Sequence, residues 1–203
     1  VLSAASLLLA ACGRKAVKGT PISAGSTVLA LGDSLTSGVG ATAPTSYPAV
    51  LQGLTGWDIV NGGISGNTSA QALARLPELL EEHHPALVIV SIGGNDFLKK
   101  QSVEALKNNI RSIVSQSQAA SAQVVLVAIP EVSVLAAASG KLSDHALYAD
   151  LAKELKLPLF ADGWSRVLSD SDLRSDTVHA NAAGYAQFAN AFAKWLRESN
   201  FLT

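Results

Sequence analysis

The chain has 203 residues, 48% of them apolar and 15% charged, with a formal net charge of −1. That is enough chain for one domain with its own core and too apolar a chain for disorder. No Lys/Arg block or aromatic-basic interleaving of the kind a nucleic-acid partner needs is present, and a single cysteine allows no internal disulfide.

The first segment, residues 1–12, is an apolar run that ends in the small residues Ala10 and Ala11 before Cys12. Leu9-Ala10-Ala11-Cys12 resembles the bacterial lipobox, where a signal peptidase cuts before the cysteine and the cysteine is acylated. The expectation is a lipoprotein-type signal with Cys12 as its lipidation site. The protein would then be lipid-anchored to a membrane of the bacterial cell envelope, facing the periplasm. Residues 13–26 are small, polar and Gly/Pro-containing, which suits a tether.

From residue 27 onward, short apolar runs alternate with longer helix-patterned segments. The runs Thr27–Leu31, Asp58–Val60, Leu87–Ile92, Gln123–Ile129 and Leu157–Phe160 read as strands, several of them apolar throughout, as in a parallel sheet covered on both faces. Helices are expected over Tyr47–Leu54, Ser69–His83, Val103–Ala120, Asp144–Leu155 and Ala183–Ser199. In the second of these Leu73, Leu76, Leu79 and Leu80 share a face; in the third Ile110, Ile113 and Val114 do. The alternation implies right-handed βαβ units and one doubly wound α/β domain over residues 27–203.

In such sheets function collects where the strands end. Polar or Gly-rich clusters fall at those places: Gly32-Asp33-Ser34, residues 62–68, Gly93-Gly94-Asn95-Asp96, and, before the last helix, Asp176-Thr177-Val178-His179. A serine hydroxyl needs a neighbouring base to become a nucleophile. His179 can be that base, and Asp176, three residues earlier, can orient its ring and stabilise the imidazolium. The backbone N–H groups of Ser34 and Gly66 and the Asn95 amide are candidate donors to an oxyanion. The order Ser, Asp, His matches α/β-hydrolases, but Asp and His lie much closer together and the G-x-S-x-G elbow is absent.

The segments GDSLTSG (Gly32–Gly38), NGGISGNTS (Asn61–Ser69), GGND (Gly93–Asp96) and DTVH (Asp176–His179) resemble, in order, the four blocks of SGNH (GDSL-type) hydrolases. The run Gly62–Pro77 followed by a strand and GGND is most similar to the periplasmic thioesterase/arylesterase/lysophospholipase subgroup. The resemblance implies a three-layer α/β/α flavodoxin-like fold with a five-stranded parallel sheet, and no cofactor or metal. It assigns Ser34, Asp176 and His179 to the catalytic triad, and Ser34, Gly66 and Asn95 to the oxyanion hole. Many members carry Pro after the histidine; Ala180 stands there in this chain, which would loosen the turn holding His179.

Other residues read as ordinary. Asp33 and Asp96 are taken as turn-fixing hydrogen bonders, His83 and His84 as a solvated helix end, and His145 as a helix residue without a partner. Gly38-Val39-Gly40 with Ala43 fits a dinucleotide pattern, but it begins beyond the strand end and Pro44 interrupts the helix it should open. The expected function is therefore hydrolysis of acyl-apolar esters or thioesters, small-molecule or lipid, through an acyl-enzyme. Tyr47, Phe97, Leu98, Val134, Leu135 and Val178 are expected near the acyl group. The alternatives are a carbohydrate O-acetylesterase of the same fold and a non-catalytic surface lipoprotein.

Overall fold

A computed structural model describes residues 17–131 and 140–202. The signal segment with Cys12, the start of the tether, and Val134 and Leu135 lie outside the described residues. Five parallel strands, β1 (Thr27–Gly32), β2 (Asp58–Gly63), β3 (Leu87–Ser91), β4 (Gln123–Val127) and β5 (Leu159–Phe160), form one sheet in the order β2-β1-β3-β4-β5. This is the flavodoxin-like α/β order, with its switch point between β1 and β3. Strands β1, β3 and β4 are buried almost residue by residue, as their continuous apolar runs require.

The described helices are α1 (Ser34–Ser37), α2 (Tyr47–Thr55), α3 (Ser69–His83), α4 (Gly94–Leu98), α5 (Val103–Ala119), α6 (Leu147–Leu155), α7 (Gly163–Ser169) and α8 (Ala182–Glu198). Helix α2 packs on α8, which also meets α7, and α3 packs on α5. An aromatic cluster fills the α2/α7/α8 side. Trp164 stacks on Phe188 with centroids 3.7 Å apart, and Tyr47 meets both rings edge-on.

The ends of several elements differ from the expectation for local reasons. β4 stops at Val127, and Ile129 instead accepts a backbone hydrogen bond from His145. β5 starts at Leu159 because the Leu157 N–H is used by the Ala152 carbonyl and Pro158 has no N–H to give. α6 begins at Leu147, not Asp144: the Asp144 carboxylate accepts the Asp162 N–H, and Asp144 bridges to Pro130. His145 is thus not on the helix and is not partnerless. Its Nδ1 accepts from the Leu147 N–H and its ring stacks on Phe97 at 4.8 Å.

The described part of the segment read as a tether lies on the domain. Gly19 and Ile22 donate backbone hydrogen bonds to Ser199 and Phe201, and the Trp57 indole donates to the Ile22 carbonyl. Ile22 is buried with the core. None of the described helices is long and apolar enough to cross a membrane.

Candidate active site

β1 delivers the chain to the switch point, where Asp33 caps the four-residue helix α1 by accepting the Leu35 N–H. Ser34 is the first helical residue, 9% exposed, and its side chain faces a cleft of about 420 Å³. Across 145 residues of sequence, the His179 Nε2 lies 2.9 Å from the Ser34 Oγ. The other ring nitrogen, Nδ1, lies 2.7 Å from the Asp176 Oδ2. With Nδ1–H donating to the carboxylate, Nε2 carries the lone pair that accepts the Ser34 hydroxyl proton.

The turn that presents Asp176 and His179 is closed on several sides. The Asp176 Oδ1 accepts the N–H groups of Val178 and His179, Ser175 N–H donates to the His179 carbonyl, and Asn181 N–H donates to the Leu173 carbonyl. Arg174 and Ala180 form a β-bridge across its base, and Ala180 is fully buried. The turn is therefore held without the proline, contrary to the looser turn expected from Ala180. Partial burial works against the Asp176 charge, but the hydrogen bonds from the His179 ring and from the Val178 and His179 N–H groups outweigh it and hold its pKa below the ordinary carboxylate value.

Ser34, Gly66 and Asn95 converge on the same cleft from the ends of β1, β2 and β3. Neither the Ser34 nor the Gly66 N–H has a protein acceptor among the described residues. Gly66 has φ +79°, and an added Cβ would meet no protein atom. Glycine is thus called for by the left-handed backbone, not by a crowded approach. The Asn95 Nδ2 donates to the Asn67 carbonyl at 3.0 Å and, weakly, to the Asp33 Oδ2 at 3.4 Å. The longer of these lies beyond the usual range for a strong N–H···O bond.

Asp33 and Asp96 do more than fix their own turns. Asp96 reaches back to α3, accepting the Ser69 N–H at 2.8 Å and the Ser69 hydroxyl at 2.6 Å. Asp33 is 2% exposed. Its burial raises the carboxyl pKa to about 6, opposed by the Leu35 N–H and by the field of His179.

The cleft walls are mainly apolar. Of the residues expected there, Leu98 and Val178 line it, and Leu35, Ile129, Leu142 and Leu168 join them. Tyr47 does not: it is fully buried under Trp164 and Phe188, its hydroxyl near the Thr36 Oγ1. Phe97 stacks on His145 instead of lining the cleft. Leu142 and Leu168 were not legible as site residues, because no local motif marks a side chain that a distant element brings in. No cluster of three or more His, Cys, Asp or Glu suited to a metal occurs among the described residues.

Residues 30–187 match the GDSL-like Lipase/Acylhydrolase family. Over 182 residues the chain is 36% identical to Thioesterase 1/protease 1/lysophospholipase L1 of Escherichia coli K12, covering 86% of this chain and 85% of that protein. It is 40% identical over 115 residues to Esterase TesA of Pseudomonas aeruginosa, covering 54% of this chain and 57% of that one. Among solved structures, the psychrotrophic esterase EstA from Pseudoalteromonas sp., inhibited by monoethylphosphonate, superposes with a TM-score of 0.74 at 25% identity, over 85% of this chain and 97% of EstA.

Proposed function

The chain belongs to the GDSL-like lipase/acylhydrolase family, and from that premise we propose that Ser34 attacks esters or thioesters of apolar acyl groups and carries the acyl group as an intermediate. The protein is an acyl hydrolase of the SGNH type. The observation that carries the assignment to Ser34 is the unbroken line from Ser34 Oγ to His179 Nε2 to Asp176, 2.9 Å and 2.7 Å, opening on an apolar cleft.

In the first half-reaction His179 takes the Ser34 proton as Oγ bonds to the acyl carbon. The carbonyl oxygen becomes an oxyanion facing the Ser34 and Gly66 N–H groups and the Asn95 amide. The tetrahedral centre collapses, the bond to the alcohol or thiol breaks, and His179 gives that leaving group its proton. In the second, His179 deprotonates a water that attacks the acyl-enzyme, and Ser34 recovers its proton as the acid departs. Asp176 holds the ring in the accepting tautomer throughout and stabilises the imidazolium. An aliphatic wall of Leu35, Ile129, Leu142 and Leu168 suits the acyl chain, and no aromatic residue among those described lines the cleft as a sugar platform would.

The proposal includes the envelope location. Residues 1–12 would be the signal and Cys12 the acylated residue, anchoring the domain on the periplasmic side of a membrane; the Leu9–Cys12 order supports it. Labelling with a fluorophosphonate probe tests the active-site serine. The wild type should label and turn over graded aryl esters and acyl thioesters, and Ser34→Ala should do neither. A wild-type protein inert to the probe and to every ester would remove the assignment. Intact mass of membrane-extracted protein tests the anchor: a mass without acyl chains would exclude it.

A further inference from the structure

The three oxyanion-facing groups come from three separate segments: Ser34 after β1, Gly66 after β2 and Asn95 after β3. Their mutual spacing must be held to within a fraction of an ångström to matter, since a misplacement of about 1 Å costs on the order of 10²-fold in rate. One side chain bridges the first two segments directly and reaches the third through Asn67. Arg75, in the second turn of α3, donates from Nη2 to the Gly32 carbonyl at 2.9 Å and from Nε to the Asn67 Oδ1 at 3.0 Å. Gly32 lies two residues before Ser34, and Asn67 directly follows Gly66. The Asn67 carbonyl in turn accepts the Asn95 amide at 3.0 Å. A continuous path therefore runs from the Ser34 turn through Arg75 and Asn67 to Asn95.

The chemistry of this path is unusual for a stability device. Arg75 is half-buried, and that partial burial pushes its pKa downward. It forms no ion pair among the described residues; both hydrogen-bond acceptors are neutral oxygens. A cation taken partly out of water without a counter-charge is a cost to the fold. What it supplies is a planar, rigid fork whose Nε–H and Nη2–H directions fix two acceptors relative to one another. A lysine in the same place would keep the charge and lose that constraint. Lys99, exposed on the other side, adds a second tie by donating to the Gly66 carbonyl at 2.9 Å.

We propose that Arg75 is a positioning residue: by bridging the Gly32 carbonyl and Asn67, it sets the distance between the Ser34 and Gly66 N–H groups and holds Asn95 in line with them. The inference rests on the acyl-hydrolase reading of the site. Arg75 itself does not touch the reacting atoms; it acts through the three donors.

The test is a kinetic double-mutant cycle on an activated aryl ester, with thermal stability followed in parallel. Arg75→Ala should lower kcat by roughly 10–100-fold while KM moves by no more than about twofold, because the lost interaction matters in the transition state. Arg75→Lys should resemble Arg75→Ala despite keeping its charge. Low concentrations of guanidinium ion should restore part of the kcat of Arg75→Ala and none of that of Arg75→Lys. Combined with Asn95→Ala, the Arg75→Ala loss should be strongly less than multiplicative, since the two changes disable one device. Wild-type kcat in a folded Arg75→Ala protein, or multiplicative losses in the double variant, would overturn the proposal. Should Arg75→Ala fail to fold, Arg75→Lys carries the same cycle, and a wild-type kcat there overturns it equally. Ser34→Ala is run alongside. If Ser34→Ala retains activity, the acyl-hydrolase reading of this serine fails; if only the Arg75 variants behave as wild type, the positioning role alone fails.

Discussion

Asp33→Asn should gain stability relative to wild type as pH rises, from slightly less stable at acidic pH to more stable at neutral pH. Asp33 is 2% exposed beside Ser34, and burial raises its carboxyl pKa from 3.8 to about 6. The folded state therefore holds the proton more tightly than the unfolded chain. The carboxylate's penalty is absent below 3.8, develops as pH rises through the interval to about 6, and is constant above it; in full it amounts to about 3 kcal/mol. Asparagine keeps an oxygen for the Leu35 N–H and removes the titration. The weak contact with Asn95 is lost, at a cost of roughly 1 kcal/mol that does not vary with pH. Between about pH 4 and about pH 7.5 the variant's stability should thus improve against wild type by roughly 2 kcal/mol. Urea unfolding of both proteins at both pH values, followed by the fluorescence of the buried Trp57 and Trp164, measures the difference. A stability difference independent of pH would refute the burial argument. The penalty is partly offset within the site, where the Leu35 N–H and the field of His179 both favour the Asp33 carboxylate.

Asn95→Ala should lower kcat by roughly 10²–10³ with KM little changed, the loss of one oxyanion donor; near-normal kcat would take Asn95 out of the site. Ser34→Ala combined with His179→Ala should cost little more than either change alone, because the pair acts in one step, and fully multiplicative losses would separate them. Asp176→Asn should fold normally and lose on the order of 10⁴ in kcat, since an amide facing Nδ1 favours the tautomer that cannot accept the Ser34 proton; ester hydrolysis near the wild-type rate would contradict the orienting role. Gly93→Ala should destabilise the protein by roughly 1–3 kcal/mol in thermal unfolding and depress kcat, because Gly93 has φ +129° and an added Cβ would strike the Tyr148 hydroxyl that anchors to the Ile92 carbonyl; an unchanged Tm would show that the turn relaxes freely.

The strand and helix framework was legible because its signal is periodic. Apolar runs of five to seven residues gave β1, β3 and β4, and the Leu73/Leu76/Leu80 spacing gave α3 with both ends placed. The reacting groups were legible because each sits in a short motif at a strand end or before a helix. What sequence could not show is how separate motifs are held together. Arg75 looks like one more charged position on an amphipathic helix, and only the fold brings its guanidinium to Gly32 and Asn67. His145 looked partnerless because its stacking partner, Phe97, is 48 positions away in the chain. Tyr47 carried no mark separating a rim aromatic from a core one, and the core claimed it through Trp164 and Phe188. The short helices α1 and α4 escaped for a related reason. Each is too brief for a 3.6-residue period to emerge, and each begins at a site residue or next to one. Periodicity reports burial along one element, whereas the catalytic geometry resides in contacts between elements: Ser34 to His179 across 145 residues, and Asn95 to Asn67 across 28. Composition and pattern therefore identify the chemistry, and the hydrogen bonds between strand ends determine how well it is aimed.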